Sequence, residues 1–487
     1  VYVNWFEIDY HRTYTVENDS LLFDGDEAGT WQYEAGDFFT DTIEVFDITD
    51  PLSVTRMVST TVVASDSYSL KFEDTIVGEH HYVALTPAQY QSPLDIVEHS
   101  PSSLKDTSNG ADYIVVTHPH FYTDVLPLKD HRAGQGLRTM VVDVEDVYDE
   151  FNYGIFDPHA IRDFLTYAYF NWQPPAPSYV LLVGDGNLDF KDSLGWAEPN
   201  YIPPYLVYTD EWVGEADADN RYVCVSGDDI LPDMHIGRLP AQTAAQASAM
   251  VSKIINYEQN PPEGDWKQQV LFVADNPDDA GDFRLLSDDI ADNHLPSPYA
   301  PEKVYYKISP YTTGGAVRDA IINAFGTGRL FINYVGHGST SYWASEKFVT
   351  RDDVASLPDS QKMPMMLPMT CLEGYFIRPS PPGEDWSCLG ESLVRAEGKG
   401  AIASWSPTSA GLSGGHHYLH QGFYDAVFVD GVHQIGPATL LGKLNLYYNA
   451  GGDHRELIDT YIVFGDPALT LTIQHYMMFV PLIFKQY

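Results

Sequence analysis

The sequence predicts a doubly wound α/β domain with a mostly parallel sheet, preceded by an all-β domain of the sandwich type. The first observation is that residues 1–105 contain short alternating or β-branched stretches between turn clusters, without helical periodicity. The second is that short apolar runs alternate with helical patterns from about residue 110 onward. The third is size: 487 residues, 44% of them hydrophobic, are enough for two to four domains with real cores.

The all-β domain is predicted from stretches such as residues 42–46 and 60–64, which are bounded by turn clusters at 24–26 and 47–51. A polar stretch at 100–110 predicts a linker. We therefore expect an N-terminal β-rich domain at 1–105, a second domain at 106–475 and a short apolar C-terminal tail at 476–487. Because the sequence begins at Val1 rather than at Met, we expect a processed or trimmed chain.

Six apolar runs predict the buried parallel strands of the second domain: residues 113–117, 138–142, 179–183, 270–274, 330–335 and 401–404. Helices are predicted between them, for example where Ile161, Phe164 and Ala168 follow helical spacing. In doubly wound folds ligands bind beyond the carboxyl ends of the strands. Chemistry is therefore expected where the strands end.

The charge balance excludes some partners. The chain has 69 Asp and Glu against 27 Lys and Arg, a formal net charge of −42. Nucleic acids and anionic membranes bind clustered Lys and Arg, so neither is an expected partner. No window reaches the roughly 18 apolar residues that span a bilayer. Cationic substrates and Ca²⁺ remain compatible with this charge.

Two strand ends carry residues with catalytic chemistry. Residues 330–335 lead directly into Gly336-His337-Gly338-Ser339, which places a titratable imidazole between two glycines. The alternative is a glycine-rich turn whose histidine only hydrogen-bonds the backbone. Residues 364–370 end at Cys371, where a nucleophile is expected in this kind of fold.

The cysteines allow a structural interpretation as well. The chain has three cysteines, Cys224, Cys371 and Cys388, which are too few and too far apart for a disulfide framework or a Cys-rich zinc site. A single cysteine is commonly a buried, inert one. We expect that structural role for Cys224, between valines, and for Cys388, at the start of a helix. Cys371 differs because His337 ends a strand of the same predicted sheet.

The Gly-His-Gly-Ser motif at 336–339 and the Thr-Cys-Leu-Glu-Gly motif at 370–374 resemble the His and Cys motifs of the gingipain family of cysteine peptidases, clan CD, whose members have a caspase-like fold. Stretches at 113–119, 141–151, 160–169, 179–185, 233–240 and 463–469 resemble further family signatures in the same order. The resemblance covers roughly residues 110–473, and the β-rich segment before them resembles the N-terminal region of bacterial members.

The resemblance implies a cysteine endopeptidase that forms a thioester acyl-enzyme. Cys371 is the implied nucleophile, His337 the proton carrier, and the N–H groups of Gly338 and Cys371 the oxyanion donors. Asp275 is the candidate third carboxylate, with a solvated position in an acidic turn as its alternative. Two other functions stay open: a sortase-like transpeptidase of a secretion system and a non-catalytic surface binding protein.

Specificity in the family implies an S1 residue from the segment after residue 274, which here offers Asp278, Asp279 and Asp282 but also Arg284. An Asp would favour a basic substrate side chain and Arg284 would oppose one, and Asp282 and Arg284 are the main candidates. No cofactor is expected for the chemistry. Two acidic loops could hold a structural calcium ion, with Asp217, Asp219, Asp228 and Asp229 as candidate ligands. The alternative for each loop is a set of solvated acids without an ion. We expect a monomeric, secreted or cell-surface bacterial protein that acts on polypeptides.

Overall fold

A computed structural model describes residues 12–93 and 101–473. The chain divides into two compact units, Val1–Ser100 and Pro101–Tyr487. The predicted apolar tail at 476–487 lies outside the described residues. Within the described ranges no helix combines the length and the apolar character needed to cross a membrane.

The first unit consists of two antiparallel sheets, with strand orders β1-β7-β3-β4 and β2-β6-β5. Phe23 and Tyr82 from the first sheet pack their rings against Tyr33 and Phe72 from the second, with centroid distances of 5.3–6.2 Å across the two sheets. Alternate residues of these strands are buried, as expected for sheets with one face in a core. The prediction of an all-β sandwich is confirmed. Its strands are β1 (Ser20–Gly25), β2 (Gly29–Phe38), β3 (Glu44–Asp47), β4 (Thr55–Arg56), β5 (Thr60–Ala64), β6 (Tyr68–Ile76) and β7 (His80–Leu85).

The second unit is built on a ten-stranded sheet with the order β15-β14-β16-β19-β20-β21-β13-β10-β8-β9. Two small hairpins, β11–β12 and β17–β18, lie outside it. The strands are β8 (Tyr113–Thr117), β9 (Thr139–Asp143), β10 (Tyr179–Val183), β11 (Leu206–Asp210), β12 (Gly214–Asp217), β13 (His235–Leu239), β14 (Gln269–Ala274), β15 (Ala300–Tyr305), β16 (Phe331–Val335), β17 (Tyr342–Trp343), β18 (Val349–Thr350), β19 (Met365–Met369), β20 (Ala403–Pro407) and β21 (Tyr461–Phe464).

The helices of the second unit mostly connect successive strands. They are α1 (Tyr122–Gly134), α2 (Val144–Asn152), α3 (Pro158–Asn171), α4 (Ala244–Gln259), α5 (Phe283–Asp289), α6 (Gly314–Thr327), α7 (Arg351–Val354), α8 (Leu389–Arg395), α9 (Ser413–Phe428), α10 (Ile435–Asn449) and α11 (Glu456–Thr460). Adjacent strands are parallel throughout the large sheet except for β20 and β21, which pair antiparallel.

Both faces of the large sheet are covered. In β8, Tyr113 and Val115 belong to a core that includes residues of α1 and α4, whereas Ile114 and Val116 belong to a second core with residues of α2 and α3. All five residues of β8, β16 and β19 are buried. A strand buried on both faces favours apolar residues at most positions, and this pattern predicts these strands from the sequence. The prediction of a doubly wound, mostly parallel sheet is confirmed.

The strand order positions the predicted catalytic residues. β16 lies between β14 and β19, and it is parallel to both. The register aligns Ala274, Val335 and Met369 across the three strands. The segments that follow β14, β16 and β19 therefore leave the same edge of the sheet side by side.

Candidate active site

The turn after β16 fixes the backbone of His337 and leaves its ring accessible. The His337 carbonyl accepts hydrogen bonds from Tyr334 Oη at 2.6 Å and from Ala344 N–H at 2.8 Å. A Cβ atom on Gly336 would lie 2.5 Å from Tyr334 Oη and 2.6 Å from Asp275 Cβ, so only glycine fits there. The imidazole side chain is 54% exposed.

The ring of His337 is held by a carboxylate and an aromatic ring. Its Nε2 atom lies 2.8 Å from Asp278 Oδ2. Phe283 meets the imidazole edge to face, with a centroid distance of 5.3 Å. The Ala280 N–H, followed by the hydrogen bond and charge of His337, lowers the pKa of Asp278. Asp278 is therefore ionised at neutral pH and can orient the imidazole and stabilise its charged form.

The sequence pointed to Asp275 for this position, three residues earlier. Asp275 is buried, its Oδ1 accepts the N–H of Asn276 at 2.8 Å, and burial raises the pKa of its carboxyl group. The carboxylate that the structure places against the ring is Asp278. Composition alone did not distinguish the acids of this turn, because their different burial depends on how the turn folds.

Cys371 lies two residues beyond the end of β19, and its thiol is half-buried. Its Sγ atom accepts the Gly411 N–H at 3.5 Å and lies 3.6 Å from the Gly411 carbonyl. Burial raises the pKa of Cys371, and the Gly411 N–H opposes that effect. The thiol is thus protonated at neutral pH, and a nucleophilic role would require a base.

Gly338 brings the two predicted turns into contact. A Cβ atom on Gly338 would lie 2.4 Å from Thr370 Oγ1 and 3.1 Å from the Cys371 carbonyl. Within residues 12–93 and 101–473, neither the Gly338 N–H nor the Cys371 N–H donates to a backbone carbonyl. The structure therefore brings Gly338 and Cys371 together and leaves both of these backbone donors available.

The main S1 candidates, Asp282 and Arg284, lie at the start of α5 on either side of Phe283, whose ring contacts His337. Asp282 caps this helix, with Oδ1 accepting the N–H groups of Arg284 at 3.2 Å and of Leu285 at 3.3 Å. Arg284 Nε lies 3.9 Å from the same oxygen. The carboxylate and the guanidinium therefore partly neutralise each other, and the charge that a substrate side chain would meet stays an open prediction.

A buried acid near the cysteine was missed by sequence reasoning. Glu373 is completely buried, and burial raises the pKa of its carboxyl group to about 7, with the Ser406 hydroxyl acting in the opposite direction. A Cβ atom on Gly390 would lie 2.7 Å from Glu373 Oε2. The sequence shows that Glu373 follows an apolar strand, but it does not show that the side chain is buried.

The predicted calcium ligands have other contacts. Asp219 is buried and pairs with Arg238 through two hydrogen bonds of 2.6 and 2.8 Å, and Asp217 accepts the N–H groups of Tyr205 and Asp219. In the second loop, the exposed Asp229 accepts the N–H of Leu231. Asp228 is also exposed. Calcium at either loop stays a prediction.

Comparisons with known proteins agree on one family. The sequence model of peptidase family C25 matches residues 106–472. Gingipain R1 of Porphyromonas gingivalis is 25% identical over 448 residues, covering 88% of this chain and 40% of that protein. Gingipain R2 of the same species is 27% identical over 383 residues, covering 75% of this chain and 46% of that protein. The chain thus spans less than half the length of these curated relatives.

Solved structures share the fold. The crystal structure of the Arg-specific cysteine proteinase gingipain R matches with a TM-score of 0.60 at 24% identity, covering 77% of this chain and 80% of the other. The complex of Porphyromonas gingivalis RgpB pro- and mature domains matches with a TM-score of 0.61 at 24% identity, covering 74% of this chain and 79% of the other. These similarities, together with the mostly parallel sheet, define a caspase-like α/β fold. The chain belongs to peptidase family C25, the gingipain family.

Proposed function

We propose that this chain is a cysteine endopeptidase that hydrolyses peptide bonds with the dyad of His337 and Cys371. The observation that carries the proposal is the placement of an imidazole and a thiol after adjacent parallel strands, joined by the contact of Gly338 with Cys371. Membership of peptidase family C25 supports the same reaction class. A shared carboxyl edge is where doubly wound folds bind their ligands.

The first half of the reaction forms the acyl-enzyme. Cys371 Sγ gives its proton to His337 and attacks the scissile carbonyl carbon, and the carbonyl oxygen becomes an oxyanion. The N–H groups of Gly338 and Cys371 would donate to that oxyanion, an interaction whose loss typically costs about 10²–10³ in rate. His337 then returns the proton to the leaving amine, and the thioester remains.

The second half regenerates the thiol. His337 accepts a proton from water as the water attacks the thioester carbon. The tetrahedral intermediate then collapses to the carboxylic acid, and His337 returns the proton to the departing Cys371 sulfur. Asp278 supports both halves, since its ionised carboxylate favours the imidazolium that forms each time. Because the pKa of the Cys371 thiol is raised, base assistance by His337 is required rather than optional.

The remaining assignments follow from the chemistry and from the family. The substrate is a polypeptide, the dyad needs no cofactor, and a structural calcium ion would contribute stability only. We place the protein outside the bacterial cell or at its surface, as a monomer.

A covalent thiol probe tests the nucleophile. We expect a peptidyl electrophile to label the wild-type chain once, and Cys371→Ala to abolish both labelling and cleavage of a peptide library. Cys224→Ala is the matched control, since that thiol is buried, and burial raises its pKa to about 12. Equal labelling of wild type and Cys371→Ala would overturn the proposal. Ligated products after addition of an amine nucleophile would instead identify a transpeptidase.

A further inference from the structure

Three side chains of metal-ligand type meet in the first unit, far along the chain from the dyad. Asp47 ends β3, Asp74 belongs to β6 and His80 begins β7. One ligand atom from each residue lies within 4.8 Å of the other two. Within residues 12–93 and 101–473, this is the only such group of three or more. Because β3 and β7 are in one sheet and β6 is in the other, the group joins the two sheets of the sandwich.

The carboxylates are already oriented by neighbouring donors. The Thr49 N–H donates to Asp47 Oδ1 at 2.9 Å. Asp74 accepts the Thr75 N–H at 2.8 Å and the hydroxyl of Tyr82 at 2.7 Å. Outer donors of this kind orient the ligands of protein metal sites.

The charge and the donor types select a class of ion. The two carboxylates carry two negative charges and His80 contributes a neutral ring nitrogen, so a divalent cation would balance the group. Nitrogen together with oxygen suits Zn²⁺, whereas Ca²⁺ and Mg²⁺ prefer oxygen alone. The side chains of His80 and Asp47 are 25% and 18% exposed, which leaves an ion a path from solvent.

We propose that Asp47, Asp74 and His80 bind one zinc-class divalent cation, with water completing the coordination. His80 Nδ1 now lies 2.9 Å from Asp47 Oδ2. Tetrahedral bonds of about 2.0–2.1 Å set neighbouring ligand atoms about 3.3 Å apart, so the pair needs to separate only slightly. The ion takes the place of the hydrogen bond between the pair, and the His80 ring binds it through Nδ1 while carrying its N–H on Nε2. The bound ion then stabilises the sandwich by connecting its sheets.

The adjacent residue supplies a matched control. His81 Nδ1 lies 2.7 Å from Asp24 Oδ1, so it forms the same kind of pair on the same strand. Strand alternation points His81 to the opposite face of the sheet from His80, and His81 is not part of a three-residue group within the described ranges. A His81→Gln variant therefore loses one histidine and one carboxylate pair without touching the proposed site.

Calorimetric titration with Zn²⁺ tests the site in the full chain, after treatment with EDTA and dialysis. We expect one saturable equivalent in the wild type, a rise in the thermal midpoint of the first unit, and an affinity at least tenfold lower in Asp74→Asn and His80→Gln. His81→Gln should bind like the wild type. No saturable binding, or equal affinity in all four proteins, would overturn the proposal.

Cobalt gives a measurement that needs no variant. Co²⁺ added to the wild-type chain should produce the visible absorption bands of a four- or five-coordinate nitrogen and oxygen site, and one equivalent of Zn²⁺ should remove them. If the variants do not fold, the cobalt spectrum of the wild-type chain still tests the site. A spectrum identical to that of Co²⁺ in buffer would exclude the site.

Discussion

The imidazole of His337 and the carboxylate of Asp278 are 2.8 Å apart, although 59 positions of sequence separate them. The parallel pairing of β14 with β16 brings the two segments together, because both leave the same edge of the sheet. An exposed acid in a loop thereby becomes the positioning partner of the proposed base. This relationship gives the first test of the proposed mechanism.

Asp278→Asn should lower kcat/KM by roughly 10- to 100-fold and leave folding unchanged, since the residue is exposed. An amide does not stabilise the imidazolium as a carboxylate does, so each step in which His337 holds the extra proton becomes slower. Because that proton is held only during the chemical steps, the loss should appear in kcat rather than in KM, and steady-state kinetics separate the two. Asp319→Asn, at an exposed acid on helix α6, is the control. An unchanged kcat would assign Asp278 no role in catalysis.

Gly338→Ala should abolish most activity without unfolding the protein. The added Cβ would lie 2.4 Å from Thr370 Oγ1, so the turn must shift and misdirect the Gly338 N–H. We expect kcat to fall roughly 10²-fold or more, the effect of losing one oxyanion donor. Gly134→Ala is the control, because nothing lies within 4 Å of its Cβ position. Equal kcat in the two variants would contradict the oxyanion assignment.

Glu373→Gln should stabilise the protein at alkaline pH but not at acidic pH. Burial raises the pKa of Glu373 to about 7, above an unfolded value of about 4.3, so the native state binds the proton more tightly. Its contribution to stability is fully present below pH 4 and is lost as pH rises through 7. The neutral glutamine avoids that loss, so the free energy of unfolding of the variant should exceed that of the wild type by up to roughly 3 kcal/mol at pH 8.

Urea unfolding at pH 5.5 and pH 8 measures this dependence, with the exposed Glu397→Gln as control. The difference in the free energy of unfolding between Glu373→Gln and the wild type should be larger at pH 8 than at pH 5.5. A difference that does not change with pH would contradict the effect of burial on Glu373.

Arg238→Ala should be among the most destabilising single substitutions. The guanidinium is completely buried, pairs with Asp219 through two hydrogen bonds and donates to the carbonyls of Gly184, Ile202 and Pro203. Removing it leaves the Asp219 charge buried and unpaired, which costs about 3–5 kcal/mol. Chemical denaturation measures the loss. The exposed Arg12 provides the control as Arg12→Ala, which should change stability by less than about 0.5 kcal/mol.

The strands that carry His337 and Cys371 were predictable for a physical reason. β16 and β19 are buried on both faces, so their sequences are apolar except for Asn333, whose side-chain amide donates to the Leu271 carbonyl. Their parallel pairing then puts their ends side by side. The strand β13 was not predicted, because it contains Arg238. A charged residue can be buried in a strand only if a partner neutralises it. The partner of Arg238 is Asp219, which lies in a separate segment of the chain, and the sequence does not indicate this pairing.

The choice of Asp278 required the structure for a related reason. Several acids follow β14, and their positions depend on the turn in which Asp278 and Gly281 exchange backbone hydrogen bonds. Composition does not encode that turn. The metal-ligand group in the first unit was equally invisible, since Asp47, Asp74 and His80 come from three strands and two sheets.

The antiparallel pairing of β20 with β21 divides the ten strands into two parallel halves that run in opposite directions. Each half has its own carboxyl edge, and the two edges lie at opposite ends of the sheet. The dyad belongs to the half that contains β16 and β19. The segment after β10 nevertheless reaches the rim that carries Cys371, because the Ser409 hydroxyl donates to Thr209 Oγ1 in β11 at 3.1 Å and the Ser409 carbonyl accepts the Leu372 N–H next to Cys371. A substitution in the second half of the sheet can therefore alter the surroundings of Cys371.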